Sequence, residues 1–423
     1  MAPGPAPSGG PFRPDFWRSP LRGPWLTSLL GTILLPTMSV IAITGFISHW
    51  AYRPQLPGNA TVNPSYDLPV LFQLPQSWPS WDYAVTQGIH VTLGLMAIPL
   101  VAAKLWSVIP RLFAWPPVRN LAGVLERGSM LLLVGSLLVE IVTGTLWIQD
   151  YFPLKVDFYP VHYYGAWVFG AMFLLHACVK LPVVRRAYRE RGALAPLRDS
   201  LLETAPEPAG DSGLVPVDPA APTLSRRGLL AMIGGASLTI LIVQSGQSIG
   251  GPLRRLALLA PRGRVFGTGP NDFQVNHTAH AAGVTRAITS PEWRLAVTGP
   301  RRLTFSRAQL LQLDQRDETL TISCTEGWST TQHWTGVRLL DLARLAGVPA
   351  GAILHAASLQ DGGPNAHASV GYEQWSNPRA LLALRVNGEE LSPDHGYPAR
   401  VILSGAPGLY NTKWVRELRF EAM

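Results

Sequence analysis

Cys324 is one of only two cysteines in a chain of 423 residues, and it stands outside every long apolar run. The other, Cys178, lies within such a run, so no disulfide framework can be built. An unpaired thiol in an exported segment is open to oxidation and needs a chemical reason to be there. A thiolate is a soft, anionic donor suited to a high-valent metal; a buried structural cysteine is the alternative. Lys413 is the only lysine after residue 180 and sits in a Gly-containing, turn-forming segment. That context suits a point charge on a phosphate ringed by backbone N–H groups, or else a solvated lysine at a strand end.

Four of the ten histidines, His49, His90, His162 and His176, fall within or at the ends of apolar runs. An imidazole in hydrocarbon is costly unless partnered, so each is a functional candidate, with a hydrogen-bonded packing role as the alternative. His162 and His176 are 14 residues apart, which on a helix is about 21 Å along the axis and about 40° around it. Two ligands on one face at that separation suit two stacked haems, or one haem and another site. His90 and His49 could supply opposite axial bonds. As a set on three helices the four are expected to ligate b-type haem iron. C-x-x-C-H does not occur, so covalent c-type haem is excluded. Glu140 suits proton or quinone chemistry, or a pairing with a neighbouring helix.

Such histidines require membrane helices to position them. Hydrophobic residues make up 47% of the chain and charged residues 15%, with a net charge of +8. Five segments are long and apolar enough to cross roughly 30 Å of hydrocarbon: 25–48, 83–106, 128–148, 160–180 and 228–249. Basic residues collect in the N-terminal arm (Arg13, Arg18, Arg22) and in the second-to-third connection (Lys104, Arg111, Arg119, Arg127). The fourth-to-fifth connection holds Lys180, Arg185, Arg186, Arg226, Arg227 and others, whereas loops 49–82 and 149–159 hold only Arg53 and Lys155. The positive-inside rule then puts the N-terminus in the cytoplasm and everything after the fifth helix outside it. The same clustering accounts for the basic balance, so no nucleic-acid partner is expected.

Segment 202–224 (LETAPEPAGDSGLVPVDPAAPTL) is rich in Pro, Ala and Gly and reads as a flexible cytoplasmic linker. SRRGLLAMIGGASLTILIV follows from Ser225. Adjacent arginines before a weakly apolar helix resemble a twin-arginine export signal; two orienting arginines are the alternative. No small-x-small cleavage site follows residue 249, so the fifth helix is expected to stay as an anchor. Beyond 263, short β-type runs at 293–299, 320–324, 380–388, 400–405 and 413–421 alternate with helical stretches such as 337–346, which argues an α+β domain.

Here the chain resembles a known family. TISCTEGWSTTQHWTGVRLLDLARLAG (321–347) is similar to the molybdenum-binding segment of the sulfite oxidase family, in particular its smaller branch, which includes the periplasmic methionine-sulfoxide reductase catalytic subunit. LRVNGEELSPDHGYPARVILSGAPGLYNTKWV (384–415) matches that family's pterin- and phosphate-binding segment, and the two blocks come in the expected order. The resemblance spans about 265–423. It implies Cys324 as molybdenum ligand and catalytic residue, and Asn271, Ser358, His395, Arg400, Asn411, Thr412 and Lys413 as contacts to the molybdenum-molybdopterin cofactor. A surface role is the alternative for Arg400. His277 and His280 lie near the same edge without an assigned role. The four-helix part resembles cytochrome b subunits of respiratory oxidoreductases, although His49 lies at the very end of its helix. The chain stops at Met423 without an immunoglobulin-like domain, so no dimer of the sulfite oxidase kind is expected.

The expected architecture is a multi-domain membrane protein. An N-terminal arm (1–24) precedes an all-α four-helix bundle (25–182) and a cytoplasmic linker (183–224). A fifth transmembrane helix (225–250) then leads to an exported α+β molybdopterin-binding domain (263–423). Oxygen-atom transfer on a sulfite- or sulfoxide-class substrate would be coupled through haem to a quinone or other membrane redox partner. Export would use the Sec and Tat machineries. The alternative is a haem-only conduit whose outer domain binds pterin or a partner without turnover.

Overall fold

The computed structural model describes residues 9–62, 67, 81–115, 121–149, 151, 156–210, 212–249, 251–263, 266–288, 290–363 and 365–422. Arg119, Lys155 and the first eight residues, which entered the charge and arm assignments above, lie outside these. Chain contacts divide the protein into two compact units, one mainly helical and one containing all the strands found among the described residues.

The helical unit is built from α1 (Pro24–Ala51), α2 (Asp82–Met96), α3 (Ile98–Leu112), α4 (Leu121–Ile148), α5 (Phe158–Arg191) and α6 (Arg226–Ile249), of which α1, α2 and α6 continue into the second unit. Among the described residues, α1, α4, α5 and α6 are each long and apolar enough to cross a membrane. The span expected at 83–106 is instead two helices, α2 and α3, bent by 41° at a break. Pro99 explains the break, because it has no N–H to continue the ladder and its ring crowds the carbonyl four residues back. Trp25, Leu26, Leu30 and Leu34 of α1 pack with Leu100 and Val101 of α3, Phe169 of α5 and Ile233 of α6. Many outward-facing side chains of α4 and α5 are apolar and exposed, Leu131, Leu132, Leu174 and Val179 among them.

The linker is not the loose chain its composition suggests. Glu207 is buried and accepts from the backbone N–H groups of Trp25 (2.9 Å) and Leu26 (3.4 Å) at the start of α1. A carboxylate there satisfies orphan donors and meets the positive end of the helix dipole. Arg226 is fully buried, donating to the Ala205 carbonyl at 2.6 Å and to Asp199 at 3.5 Å. Ala220 N–H donates to the Arg18 carbonyl. Pro and Ala composition predicts weak self-packing, but a few polar anchors are enough to fix the segment.

The second unit holds two five-stranded sheets. One has the order β2 (Arg302–Phe305), β1 (Leu295–Thr298), β10 (Val415–Glu421), β5 (Ile353–Ser358), β6 (His367–Val370), with β1 and β10 parallel. The other runs β3 (Arg316–Ser323), β4 (Ser329–Arg338), β7 (Leu381–Val386), β8 (Glu389–Glu390), with β9 (Arg400–Ile402) also pairing with β7. LLALRV of β7 is a nearly unbroken apolar run because both of its faces are covered. Leu382 and Leu384 enter one core with Leu295, Leu354, Val401 and Leu418. Leu381 and Ala383 point the other way, to Ile322, Trp334 and Ile402, as the period of two demands. The α+β expectation and the helix expected at 337–346 (Leu339–Leu345) agree with this arrangement. Strands β2, β4, β5, β6 and β8 were not expected from the sequence.

Candidate functional site

β3 and β4 form a hairpin whose ladder closes at Ser323 opposite Ser329, leaving Cys324–Trp328 as the connecting loop. Cys324 N–H donates to the Trp328 carbonyl (2.9 Å) and Gly327 N–H returns to the Cys324 carbonyl (3.0 Å). Gly327 has φ +86°, a left-handed conformation that glycine adopts without strain. The loop is braced by Glu326, which takes two N–H donors from Arg262 (2.9 and 2.6 Å) and the indole N–H of Trp328 (2.6 Å). Against its far side lies the turn Gly408–Tyr410. A Cβ on Gly408 would come within 2.9 Å of the Ser323 carbonyl, so only glycine lets the two segments meet.

Cys324 lines a cleft together with Gln274, Asn276, Ile322, Ser323, Trp328, Arg400, Gly408 and Lys413. Both cations are buried, and among the described residues neither has a carboxylate within ion-pair distance. Arg400 donates to the carbonyls of Asn411 (3.2 Å) and His395 (3.3 Å), and Lys413 to those of His277 and Asp394 (2.8 Å each). Arg400 also lies over the Trp334 ring and Lys413 over the Trp414 ring, and two buried positive charges without a paired carboxylate suit an anion. Gly396 (φ +110°) allows the pair to approach. A Cβ there would lie 3.1 Å from Arg400 Cβ and 3.3 Å from Lys413 Cα.

Electrostatics agree with that assignment. Burial, then the Arg400 charge, holds Lys413 well below the ordinary lysine range, and burial brings Arg400 down to about 10. Burial, with Glu326 adding to it, pushes the Cys324 thiol up to about 12; a coordinated metal reverses that preference, since it binds the thiolate. Burial and then Arg400 and Lys413 bring His395 down to about 3, so its ring is neutral at pH 7. Its Nε2 lies 2.9 Å from the Asn271 carbonyl. Only a protonated Nε2 can donate to a carbonyl, which leaves Nδ1 as a buried acceptor.

The expected contacts separate into two groups. His395 Nδ1, Asn411 Nδ2 and Thr412 Oγ1 are buried without a hydrogen-bond partner. A native fold rarely tolerates such atoms unless something else satisfies them. Together with Cys324, Arg400 and Lys413 they fit a polar, anionic, sulfur-seeking cofactor. Asn271 and Ser358 are engaged elsewhere. The Asn271 carboxamide donates to the Glu390 carbonyl and accepts from Ser392 N–H, while Ser358 Oγ donates to the Lys413 carbonyl at 2.9 Å. They hold the cradle rather than face it. Gln274, Asn276, Trp328 and Gly408 were not singled out from sequence, though Trp328 and Gly408 lie inside the two matching blocks.

The histidines of the helices divide in a similar way. In the helical unit, His162 Nδ1 lies 3.2 Å from Glu140 and 3.1 Å from Thr143 Oγ1, so Glu140 takes the pairing role. His176 occupies the same helix further along. In the second unit, His90 seats its ring where Gly45 leaves room, 2.7 Å from where a Cβ would stand. His49 is buried with Nε2 3.4 Å from Asp67. Among the described residues no three His, Cys, Asp or Glu side chains converge as a metal cage; axial ligation of haem needs no such cluster.

Residues 281–423 match the family model described as "Oxidoreductase molybdopterin binding domain". The chain is similar to the uncharacterized oxidoreductase YuiH of Bacillus subtilis (strain 168), 33% identical over 153 residues, covering 33% of this chain and 71% of that protein. It is also similar to the sulfite oxidase of Gallus gallus, 29% identical over 162 residues, covering 31% of this chain but only 35% of the relative. Among solved structures it is similar to the sulfane dehydrogenase SoxCD of Paracoccus pantotrophus at 27% identity, with a TM-score of 0.29, covering 31% of this chain and 39% of that one. The chain belongs to the molybdopterin-binding oxidoreductases, the family whose members include sulfite oxidases and nitrate reductases.

Proposed function

We propose that this chain exchanges an oxygen atom with a small oxo compound of the sulfite or sulfoxide class and passes the electrons through b-type haem to or from a membrane quinone. The observation that carries this reading is the convergence of Cys324 with two buried cations, Arg400 and Lys413, on one cleft. When bound, the molybdenum cofactor supplies the two-electron oxygen-atom chemistry. Cys324 would hold the metal through its thiolate. Lys413 and Arg400 would hold the anionic end, relieved of the cost of being buried unpaired. His395 Nδ1 would accept, and Asn411 Nδ2 donate, with Thr412 Oγ1 free to do either. Trp328 and Ile322 keep the metal end of the cleft apolar.

For the haem, the arrangement around His162 is supportive. A Nδ1–H turned to Glu140 and Thr143 would fix the ring, as second-shell carboxylates do for metal-bound histidines. His90 and His176 are the further ligands we assign; His49, engaged with Asp67, is the weakest of the four. The positive-inside distribution supports a cytoplasmic N-terminus and an extracytoplasmic oxidoreductase domain in the cell membrane, and the Arg226–Arg227 pair supports Tat export of the last helix after Sec insertion of the first four.

Metal analysis of the purified full chain and a pyridine haemochrome spectrum test the whole reading. One molybdenum per chain with a b-type spectrum is expected. Molybdenum without haem removes the quinone half, and haem without molybdenum removes the oxygen-transfer half.

A further inference from the structure

The hairpin loop that carries Cys324 rests directly on α2. Gln87 Nε2 donates to the Thr325 carbonyl at 2.6 Å, one residue from Cys324. One helical turn on, Val91 packs against Gly327 so closely that a Cβ on that glycine would stand 2.7 Å from Val91 Cβ. Between them Gly88 comes close to the Gly327 carbonyl, a Cβ there standing 3.8 Å from that oxygen. Positions 87, 88 and 91 share one helix face by the i, i+3, i+4 rule, and His90 lies beside that face with its ring against Gly45 of α1. A second clasp acts on the turn that abuts Ser323 at the end of β3. The Asn59 carboxamide pairs with the backbone of Ser369 on the edge strand β6, donating to its carbonyl and accepting from its N–H at 2.8 Å each. It also donates to the Tyr410 hydroxyl at 2.9 Å. Tyr410 ends the turn whose Gly408 abuts Ser323.

We infer that this seat is the electron junction of the protein, with Gln87 as the positioning residue that holds the Cys324 loop one helical turn from His90. The inference rests on the proposed reading in which His90 ligates haem. It adds the route: from Cys324 through the Thr325 carbonyl and its hydrogen bond to α2. For an oxidation, the substrate would gain one oxygen atom from water with release of two protons. The two electrons would leave across this seat toward the haem that His90 would hold and a quinone acceptor beyond it; Gln87 and the Thr325 carbonyl supply the contact. A reductase runs the same balance backwards.

The test uses the full membrane-bound chain and needs no substrate. A photoreduced deazaflavin delivers one electron to the haem, and reoxidation of the haem α-band reports transfer to the molybdenum end. Gln87→Leu keeps the volume and removes the donor. It should slow the reoxidation phase severalfold, because the route loses its hydrogen-bonded link, with molybdenum and haem contents unchanged. Gln87→Lys restores a donor and should return the rate toward that of the parent. Equal rates in the parent and Gln87→Leu, or a Lys variant as slow as Leu, would overturn the seat while leaving the haem in place. A parent protein without a b-type α-band overturns the haem reading, and the seat with it.

Discussion

Arg262 grips Glu326 with two donors on one carboxylate oxygen, two residues beyond Cys324 in the loop. Glu326 is almost completely buried while Arg262 is one-fifth exposed, so the pair is asymmetric. Removing the arginine strands a carboxylate, and stranding a buried charge costs about 3 kcal/mol or more. Arg262→Ala should therefore lower the thermal midpoint of the oxidoreductase domain by several degrees. Glu326→Gln, which keeps an acceptor for the Trp328 indole, should cost much less. Calorimetry of both variants checks the order; equal losses would mean that the loop is braced by Trp328 alone.

Cys324→Ser should retain the pterin, because the anion-holding residues are untouched, yet lose oxygen-atom transfer. The serine hydroxyl is a hard, weakly acidic donor and a poor replacement for a thiolate on a high-valent metal. Full activity with sulfite or a sulfoxide in the variant would remove Cys324 from the metal.

Lys413→Met should move stability and function in opposite directions. Without cofactor, Lys413 is a buried charge without a carboxylate partner, held below its usual pKa by burial, so an apolar isostere should raise the melting temperature of cofactor-free protein. The same change removes a charge from the anion, and bound pterin should be lost on purification. A variant that is less stable when empty would show that the two carbonyls already compensate the ammonium.

His395 sets a pH dependence whose sign is fixed by its burial. Its folded pKa, about 3, lies below the unfolded value near 6.5. Between those values the unfolded chain binds a proton that the folded chain does not. The stability of cofactor-free protein is thus unaffected by this group above pH 6.5 and falls as pH drops toward 3. His395→Gln should flatten that limb of the stability curve in chemical denaturation. An unchanged slope would mean that carboxylates dominate the acid limb.

Residue type made part of the site legible in the sequence, and geometry supplied the rest. Cys324 and Lys413 are conspicuous because they are rare in their half of the chain, and Arg400 because it sits in a matching block. Asn271 and Ser358 lie outside the two matching blocks, and their side chains bind backbone, a distinction that depends on where neighbouring carbonyls fall. Strand β4 (STTQHWTGVR) escaped notice because its outward face is hydroxyl-rich and Gly336 interrupts the alternation. β6 was hidden by its four-residue length. The bend between α2 and α3 was readable from Pro99, but hydropathy averaged over the whole span conceals it. The linker misled through composition: Glu207 and Arg226 each anchor it through long-range contacts that no local window contains.

Those anchors bear on the export signal. Arg226 is buried and holds Asp199 and the Ala205 carbonyl, whereas its neighbour Arg227 is exposed. If the pair serves only to orient α6, the two positions should behave differently. Arg227→Lys would then be silent, since the positive charge is kept. Arg226→Lys would loosen the linker, because an ammonium cannot reproduce a guanidinium fork on two acceptors. If the pair is read by the Tat receptor, the folded-state difference is irrelevant. Recognition precedes packing of the linker, and either substitution should weaken export, with the double substitution abolishing it. Protease added to spheroplasts distinguishes these outcomes. For a Tat signal, residues after 260 should become protected in the double variant while loop 49–82 stays accessible. Continued cleavage after residue 260 in the Lys–Lys chain would assign Arg226 to the linker and Arg227 to membrane orientation.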